Sequence, residues 1–326
     1  MSSGEDDLIA RYFRPIATAP GALGLIDDAA TLSAGADDIV VTTDAIVEGV
    51  HFLADDPPQT VACKALRVNL SDLAAKGATP AGFVLTLALR DVNEAWLAPF
   101  AQALGEDAVL FGCPLLGGDT VSTPGPLMIS ITAFGRVPAQ QMIRRSTARP
   151  GDRVVVTGTI GDAAMGLDLL KGGVVGAALV ADAAARDALV HRYRVPQPRV
   201  ALARAVRDHA SAAMDVSDGL MGDLAKLCAA SAVSASIEAE SVPLSAPVRW
   251  MLDQRRIGIE ALVSGGDDYE ILCTVPENRL ESFQAAAASV DVPVMVIGAV
   301  VEGSTGARLF DGMREIALSR LSYSHF

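Results

Sequence analysis

From Asp38 the run IVVTTDAIVEGVHF carries no amphipathic helix period and predicts a β-rich segment, and GFVLTLAL at 82–89 and LMISITAFGRV at 127–137 read likewise. Helices fall between them. The segment QTVACKALRVNLSDLAAKG stops at Gly77 with Pro80 shortly after, a normal helix end. On a helical wheel Val61, Ala65, Val68, Asp72 and Ala75 share one stripe, and Cys63, Leu66, Leu70 and Leu73 form another, so this helix is apolar on two sides and largely buried. The pattern restarts after RRSTARPGD. The strand RVVVTG is followed by VTGTIGDAAMGLDLLKGG, an Ala-rich helical stretch, the strand-turn-helix AAMDVSDGLMGDLAKLCAAS, the strand and turn of LVSGGDDYEILCTV, and a last helix and strand. The boundary falls near residue 146, giving an N-terminal domain 1–145 and a C-terminal domain 146–326.

Length supports that division, because 326 residues exceed the size at which single cores stop growing. With 51% hydrophobic and 20% charged residues the composition is that of an ordered α/β protein. The net charge of −13 disfavours nucleic acid and anionic membrane as partners, and a polyanionic substrate would need bridging cations. The four cysteines form no CxxC pair, so neither zinc nor a disulfide framework is indicated and a reducing compartment fits. The start MSSGEDDLIA lacks the order of a signal peptide, and no apolar run approaches a membrane span, so a cytoplasmic protein is expected.

Acidic residues recur where chemistry is expected. GLIDDAATL sets Asp27 and Asp28 in an apolar stretch, Asp44 follows VVTT, Asp119 follows PLLGG, Asp215 precedes Val216-Ser217-Asp218-Gly219, and Asp267-Asp268 follow LVSGG. Read as the C-terminal ends of strands, these are the places where α/β folds bind ligands. Asp72 is the most informative. On a buried stripe its charge costs several kcal/mol unless it is paired or metal-bound, and the plain alternatives are Lys76 at i+4 or Asn69. Acids gathered from separate loops repel one another unless cations lie between them, and hard oxygen donors select Mg²⁺ or Mn²⁺ over zinc.

Gly117-Gly118-Asp119-Thr120 lets backbone N–H groups approach an anion, and Gly158-Thr159-Ile160-Gly161 opens a helix whose N-terminus favours one, although glycine serves tight turns for steric reasons as often. Arg144-Arg145 could reach a phosphate. GxxxxGK[ST], GxGxxG, HExxH and GxSxG are all absent, so phosphoryl chemistry here needs carboxylate-held metals in place of a lysine cradle.

The set GLIDDAA, TTDAIVEGVHF, KALRVNLSDLAAKGATP, GGDT, RSTARPGDRVVVTGTIGDAAMGL, MDVSDGL, SGGDDYE and SYSHF resembles the thiamine-monophosphate kinase family over essentially the whole chain. That resemblance implies the two-domain α/β (α+β) fold shared with aminoimidazole ribonucleotide synthetase, with an N-terminal domain that dimerises through its sheet and a C-terminal α/β domain. It also implies direct in-line transfer of the ATP γ-phosphoryl group to thiamine monophosphate, giving thiamine diphosphate. Carried over by motif, Asp28, Thr42, Thr43, Asp44, Asp72, Asp119, Asp215 and Asp218 become Mg²⁺ ligands, Gly118, Asp119, Arg145 and Ser217 ATP contacts, and His51, Asp267 and Tyr323 substrate contacts. No covalent nucleophile is expected. The plain reading of His51 is a strand-end histidine satisfied by the backbone.

Two positions depart from the family pattern. Ile26 stands where a second glycine is usual, which disfavours positive φ and calls for an extended loop, and Asp267 replaces a longer glutamate. The competing readings are another ATP-dependent enzyme of the same superfamily and a non-catalytic divalent-metal or nucleotide-binding protein.

Overall fold

A four-stranded sheet organises the first unit. In the computed structural model, which describes residues 8–25, 32 and 35–322, contacts divide the chain into Met1–Leu73 with Ala78–Gln141 and Ala74–Gly77 with Met142–Phe326. The first unit contains β1 (Asp37–Val47), α1 (Pro58–Ala75, its last two residues grouping with the second unit), β2 (Thr79–Leu89), α2 (Glu94–Leu110), β3 (Leu115–Ser122) and β4 (Met128–Pro138). Its sheet runs β1-β4-β2-β3, antiparallel except for β2 and β3, which are parallel and joined by α2 as such a pair requires. Gly118 lies in β3 opposite Leu85, where an added Cβ would stand 2.0 Å from the Leu85 carbonyl oxygen, so only glycine fits.

Alternation sorts the sheet into two faces. Ile129, Ile131, Ala133, Gly135 and Val137 of β4 are buried, and the residues alternating with them are half-buried. The second face stays open at both edges, with Val41 57% and Val121 42% exposed. The expected burial of α1 is observed: from Val61 to Ala75 only Cys63 and Asp72 are less than fully buried. Even its charges lie inside, Lys64 donating to His51 O (2.8 Å) and Arg67 making a bidentate pair with Asp107 (2.7 and 2.8 Å).

The second unit is built on seven strands, β5 (Arg153–Thr157), β6 (Ala212–Asp215), β7 (Ser234–Glu238), β8 (Ile271–Val275), β9 (Val294–Val301), β10 (Ala307–Asp311) and β11 (Arg314–Ile316), in the order β11-β10-β7-β9-β5-β8-β6. Its helices are α3 (Asp162–Leu170), α4 (Val174–Ala178), α5 (Ala183–Arg194), α6 (Ala203–His209), α7 (Leu220–Ser231), α8 (Ala246–Asp253), α9 (Ile259–Val263) and α10 (Glu277–Ser289). Successive strand residues serve two cores: Val154 and Val156 pack with Leu220, Leu224 and Leu227 of α7, and Val155 packs with Val206 of α6 and Phe283 of α10. The sheet is therefore covered on both faces.

Three local expectations change. LVS is the end of helix α9 and not a strand, so Gly265 to Tyr269 lead into β8 instead of leaving a strand. A short apolar run does not distinguish the two states, and Glu260 in the first turn with Leu262 and Val263 both buried suits a helix. Asp44 and Asp119 lie within β1 and β3, not at their ends. Both are edge strands, paired on one side only, where a polar residue mid-strand keeps access to water.

Candidate active site

In the first unit the register of β1 decides which side chains meet. Thr42 and Asp44 stand opposite the buried Ala133 and Ile131, and so project to the helix-covered face. There Thr42 Oγ1 donates to Asp72 Oδ2 at 2.5 Å, and Asp44 N donates to Asn69 Oδ1 at 3.1 Å, one helical turn earlier in α1. The partner of Asp72 is thus the Thr42 hydroxyl. Asn69 instead joins α1 to β1, its amide nitrogen donating to Ala65 O, while Lys76 donates to Ala213 O within the second unit. Thr43 faces the other way, its hydroxyl donating to Ile131 O and accepting from Thr132 Oγ1.

Asp119 pairs with Thr86 and, through Ser130, shares a sheet row with Ala45 on the open face. Three strand steps separate it from β1, about 14 Å. The first unit therefore brings Thr42, Asp44 and Asp72 together but not Asp119 or Gly118. His51 follows β1, and its Nδ1 accepts from Val47 N at 3.0 Å, so the neutral ring carries its proton on Nε2.

The second unit assembles its acids by interlocking two segments. Asp267 N donates to Ser217 O and Tyr269 N to Val216 O, both at 2.8 Å, laying residues 267–269 along the turn that follows β6. Gly266 packs so close to Ser217 O that a Cβ would stand 2.6 Å away. Ser217, Asp218 and Asp267 are thereby neighbours, and Asp215 ends β6 beside them, buried. Arg145 lies elsewhere: its carbonyl accepts from Ser231 Oγ at the C-terminal end of α7, a helix about 18 Å long whose N-terminus follows Asp218. Asp27, Asp28 and Tyr323 lie outside the described residues.

Residues that the motifs did not single out hold these segments in place. Asp223, fully buried in the first turn of α7, accepts from Ser217 N (3.0 Å) and Asp218 N (2.9 Å) and pairs with Lys226, which also reaches Asp218. Burial pushes the Asp223 carboxyl up, against the pull of Lys226. Glu270, also fully buried, takes Thr157 Oγ1 (2.6 Å), Arg192 (2.8 Å) and both donors of Arg199 (2.6 and 2.5 Å). Asp268 accepts from Gly161 N at 2.9 and 3.0 Å. The anion site expected at the start of α3 is thus filled by the chain's own carboxylate. Burial raises Asp268 well above the ordinary carboxylate range; Gly161 N–H and Arg192 oppose the shift, and Asp162 and Glu270 add to it. Between these anchors Asp267 (φ 72°) and Tyr269 (φ 50°) adopt left-handed backbone, a strained arrangement for residues with side chains.

Among the described residues, no group of three or more His, Cys, Asp or Glu side chains is close enough to hold a metal. The donors that do converge on β1 and α1 are carboxylate and hydroxyl oxygens, the set that suits magnesium and not zinc. Nor is any described helix long and apolar enough to cross a membrane.

Two family descriptions match the chain: "AIR synthase related protein, N-terminal domain" over residues 26–137 and "AIR synthase related protein, C-terminal domain" over 149–310. The chain is 45% identical to the thiamine-monophosphate kinase of Caulobacter vibrioides over 98% of its own length and 90% of that protein. A crystal structure of thiamine-monophosphate kinase from Stenotrophomonas maltophilia K279a superposes with TM-score 0.83 at 38% identity, covering 95% of this chain and 97% of that one. The structure of AaThiL complexed with AMPPCP and TMP gives TM-score 0.77 at 29% identity, covering 94% and 97%.

Proposed function

Given that the chain belongs to the thiamine-monophosphate kinase family of AIR synthase related proteins, we propose that it transfers the ATP γ-phosphoryl group directly to the phosphate of thiamine monophosphate with magnesium held by its own carboxylates. It is an ATP-dependent phosphotransferase. In the reaction an anionic oxygen of the acceptor phosphate bonds to the γ-phosphorus as the bond to the β,γ-bridging oxygen breaks, giving thiamine diphosphate and ADP. The nucleophile is already deprotonated, so no strong general base is needed and the protein's work is positioning and charge neutralisation.

The observation that carries the reading is the oxygen donor set on β1 and α1. Asp44 and Asp72, with the Thr42 hydroxyl, would hold magnesium in the first unit, joined by Asp28 from outside the described residues. Asp215 and Asp218 play this part in the second unit, with Ser217 toward the nucleotide. When bound, magnesium neutralises the phosphate oxygens and stabilises the charge that develops during transfer. Asp119, Thr43 and Gly118, which stand apart from the β1 and α1 oxygens, and Arg145, whose backbone lies at the far end of α7 from Asp218, have metal and ATP roles on the motif resemblance alone. His51 offers its Nε2–H to the substrate phosphate, and Asp267 and Tyr323 complete the substrate contacts. The open face of the first unit's sheet, where Val41 and Val121 are exposed beside polar positions such as Thr43 and Asp119, supports a homodimer formed through that sheet. Four cysteines without a disulfide support a cytoplasmic setting.

The test is ADP release from ATP with thiamine, thiamine monophosphate or aminoimidazole ribonucleotide precursors as acceptor, with and without magnesium. Release is expected with thiamine monophosphate and magnesium alone. Stimulation by another acceptor overturns the reading.

A further inference from the structure

We propose that Glu260 is a positioning residue for the substrate side of the second unit: it clasps the C-terminal segment 318–322 onto α9 and α7, fixing both the turn that carries Asp267 and the point from which the chain runs on to Tyr323. The inference rests on the kinase reading, which gives Asp267 and Tyr323 to the substrate.

The segment has no regular structure of its own. Beyond the end of β11 at Ile316 the described residues form neither strand nor helix, so their backbone groups are left to side chains and water. Glu260 gathers three donors on one atom: its Oε1 accepts from Ser319 N at 2.6 Å, from Arg320 N at 3.1 Å and from the Ser319 hydroxyl. The Ser319 hydroxyl, followed by the Arg320 and Ser319 N–H groups, holds the Glu260 carboxyl below its ordinary range.

Two further contacts grip the same segment. Ser264, one turn after Glu260 and fully buried, donates its hydroxyl to Arg320 O at 2.9 Å. A buried hydroxyl needs an acceptor, and the C-terminal segment supplies it. From the other side Gly222 of α7 comes so close that a Cβ there would stand 2.3 Å from Ser322 Cβ, and Leu318 packs on the core that α7 covers.

The clasp lies where the acid-bearing segments of the unit meet. Gly219, directly after Asp218, packs against the Ser264 backbone, where a Cβ would stand 2.8 Å from the carbonyl carbon, and Asp267 follows Ser264 by three residues. Ser217 and Asp218 are held separately, by the Asp223 carboxylate within α7. Loss of the clasp therefore loosens the substrate contacts and spares the nucleotide contacts.

In the full-length protein, Glu260→Ala should raise the KM for thiamine monophosphate about tenfold, the size of one charge-assisted hydrogen bond, with the KM for ATP unchanged. Glu260→Gln keeps an acceptor oxygen and should recover most of the parent KM. Gly222→Ala attacks the segment from its other side, displacing Ser322, and should raise the same KM in the same selective way. Carboxypeptidase digestion followed by mass spectrometry should run past Ser319 sooner in Glu260→Ala than in the parent or Glu260→Gln. Equal trimming, an unchanged KM for thiamine monophosphate in Glu260→Ala, no recovery in Glu260→Gln, or KM values that rise alike for ATP and thiamine monophosphate overturns the clasp and leaves the kinase reading standing. Absence of ADP release with thiamine monophosphate in the unsubstituted protein overturns the kinase reading, and this proposal with it.

Discussion

In Glu270→Gln the side chain keeps its length and loses its charge, in a place where four donor atoms converge on it: Thr157 Oγ1 at 2.6 Å, Arg192 Nη2 at 2.8 Å, and Arg199 Nε and Nη2 at 2.6 and 2.5 Å. The Glu270 side chain is 0% exposed, while those of Arg192 and Arg199 retain 15% and 20%. Removing one partner of a buried ion pair costs about 3–5 kcal/mol, because the remaining charge is left without compensation. Glutamine keeps one acceptor oxygen and the two arginines keep some water, which places the cost at the lower end, about 3 kcal/mol. For a unit of this size that is about 6–12 °C in melting temperature. Thermal unfolding followed by circular dichroism measures it. Adding Arg199→Gln should recover part of the loss, since that substitution removes one of the stranded cations. Activity should report the same anchor: the strained segment carrying Asp267 ends at Glu270, so the KM for thiamine monophosphate should rise in the variant. A loss below about 1 kcal/mol, the value of a surface pair, together with simple additivity in the double variant, would refute the reasoning.

Two further predictions concern single carboxylates. Asp72→Asn keeps an acceptor for Thr42 Oγ1 and removes only the charge, so unfolding should be nearly unchanged while kcat falls by about 10²-fold or more; a normal rate would exclude Asp72 from the magnesium site. Burial raises Asp268 in the folded chain, so its contribution to stability is full below its ordinary value of 3.8 and is lost as pH rises through the folded value. Asp268→Asn still accepts from Gly161 N and does not titrate, so its stability relative to the parent should increase from pH 4 to pH 8 in urea unfolding, whereas parallel curves for the two proteins would contradict the assignment.

Periodicity alone determined that α1 is apolar on two sides, because every third or fourth position is fixed to one face by the helix itself, and it isolated Asp72 as a charge needing a partner. Motif order along the chain likewise determined the family. Which partner Asp72 takes was a tertiary decision, since the Thr42 hydroxyl comes from a strand thirty positions away and neither local candidate supplies it. Strand register, invisible in one sequence, turned Thr42 and Asp44 inward and Thr43 outward, and put Asp119 on the far edge of the sheet. The anchors Asp223, Asp268 and Glu270 stayed hidden for the same reason. The partners of Asp268 and Glu270 come from segments distant in the chain, those of Asp223 lie within six residues of it, and only folding makes the burial that gives all three charges their weight.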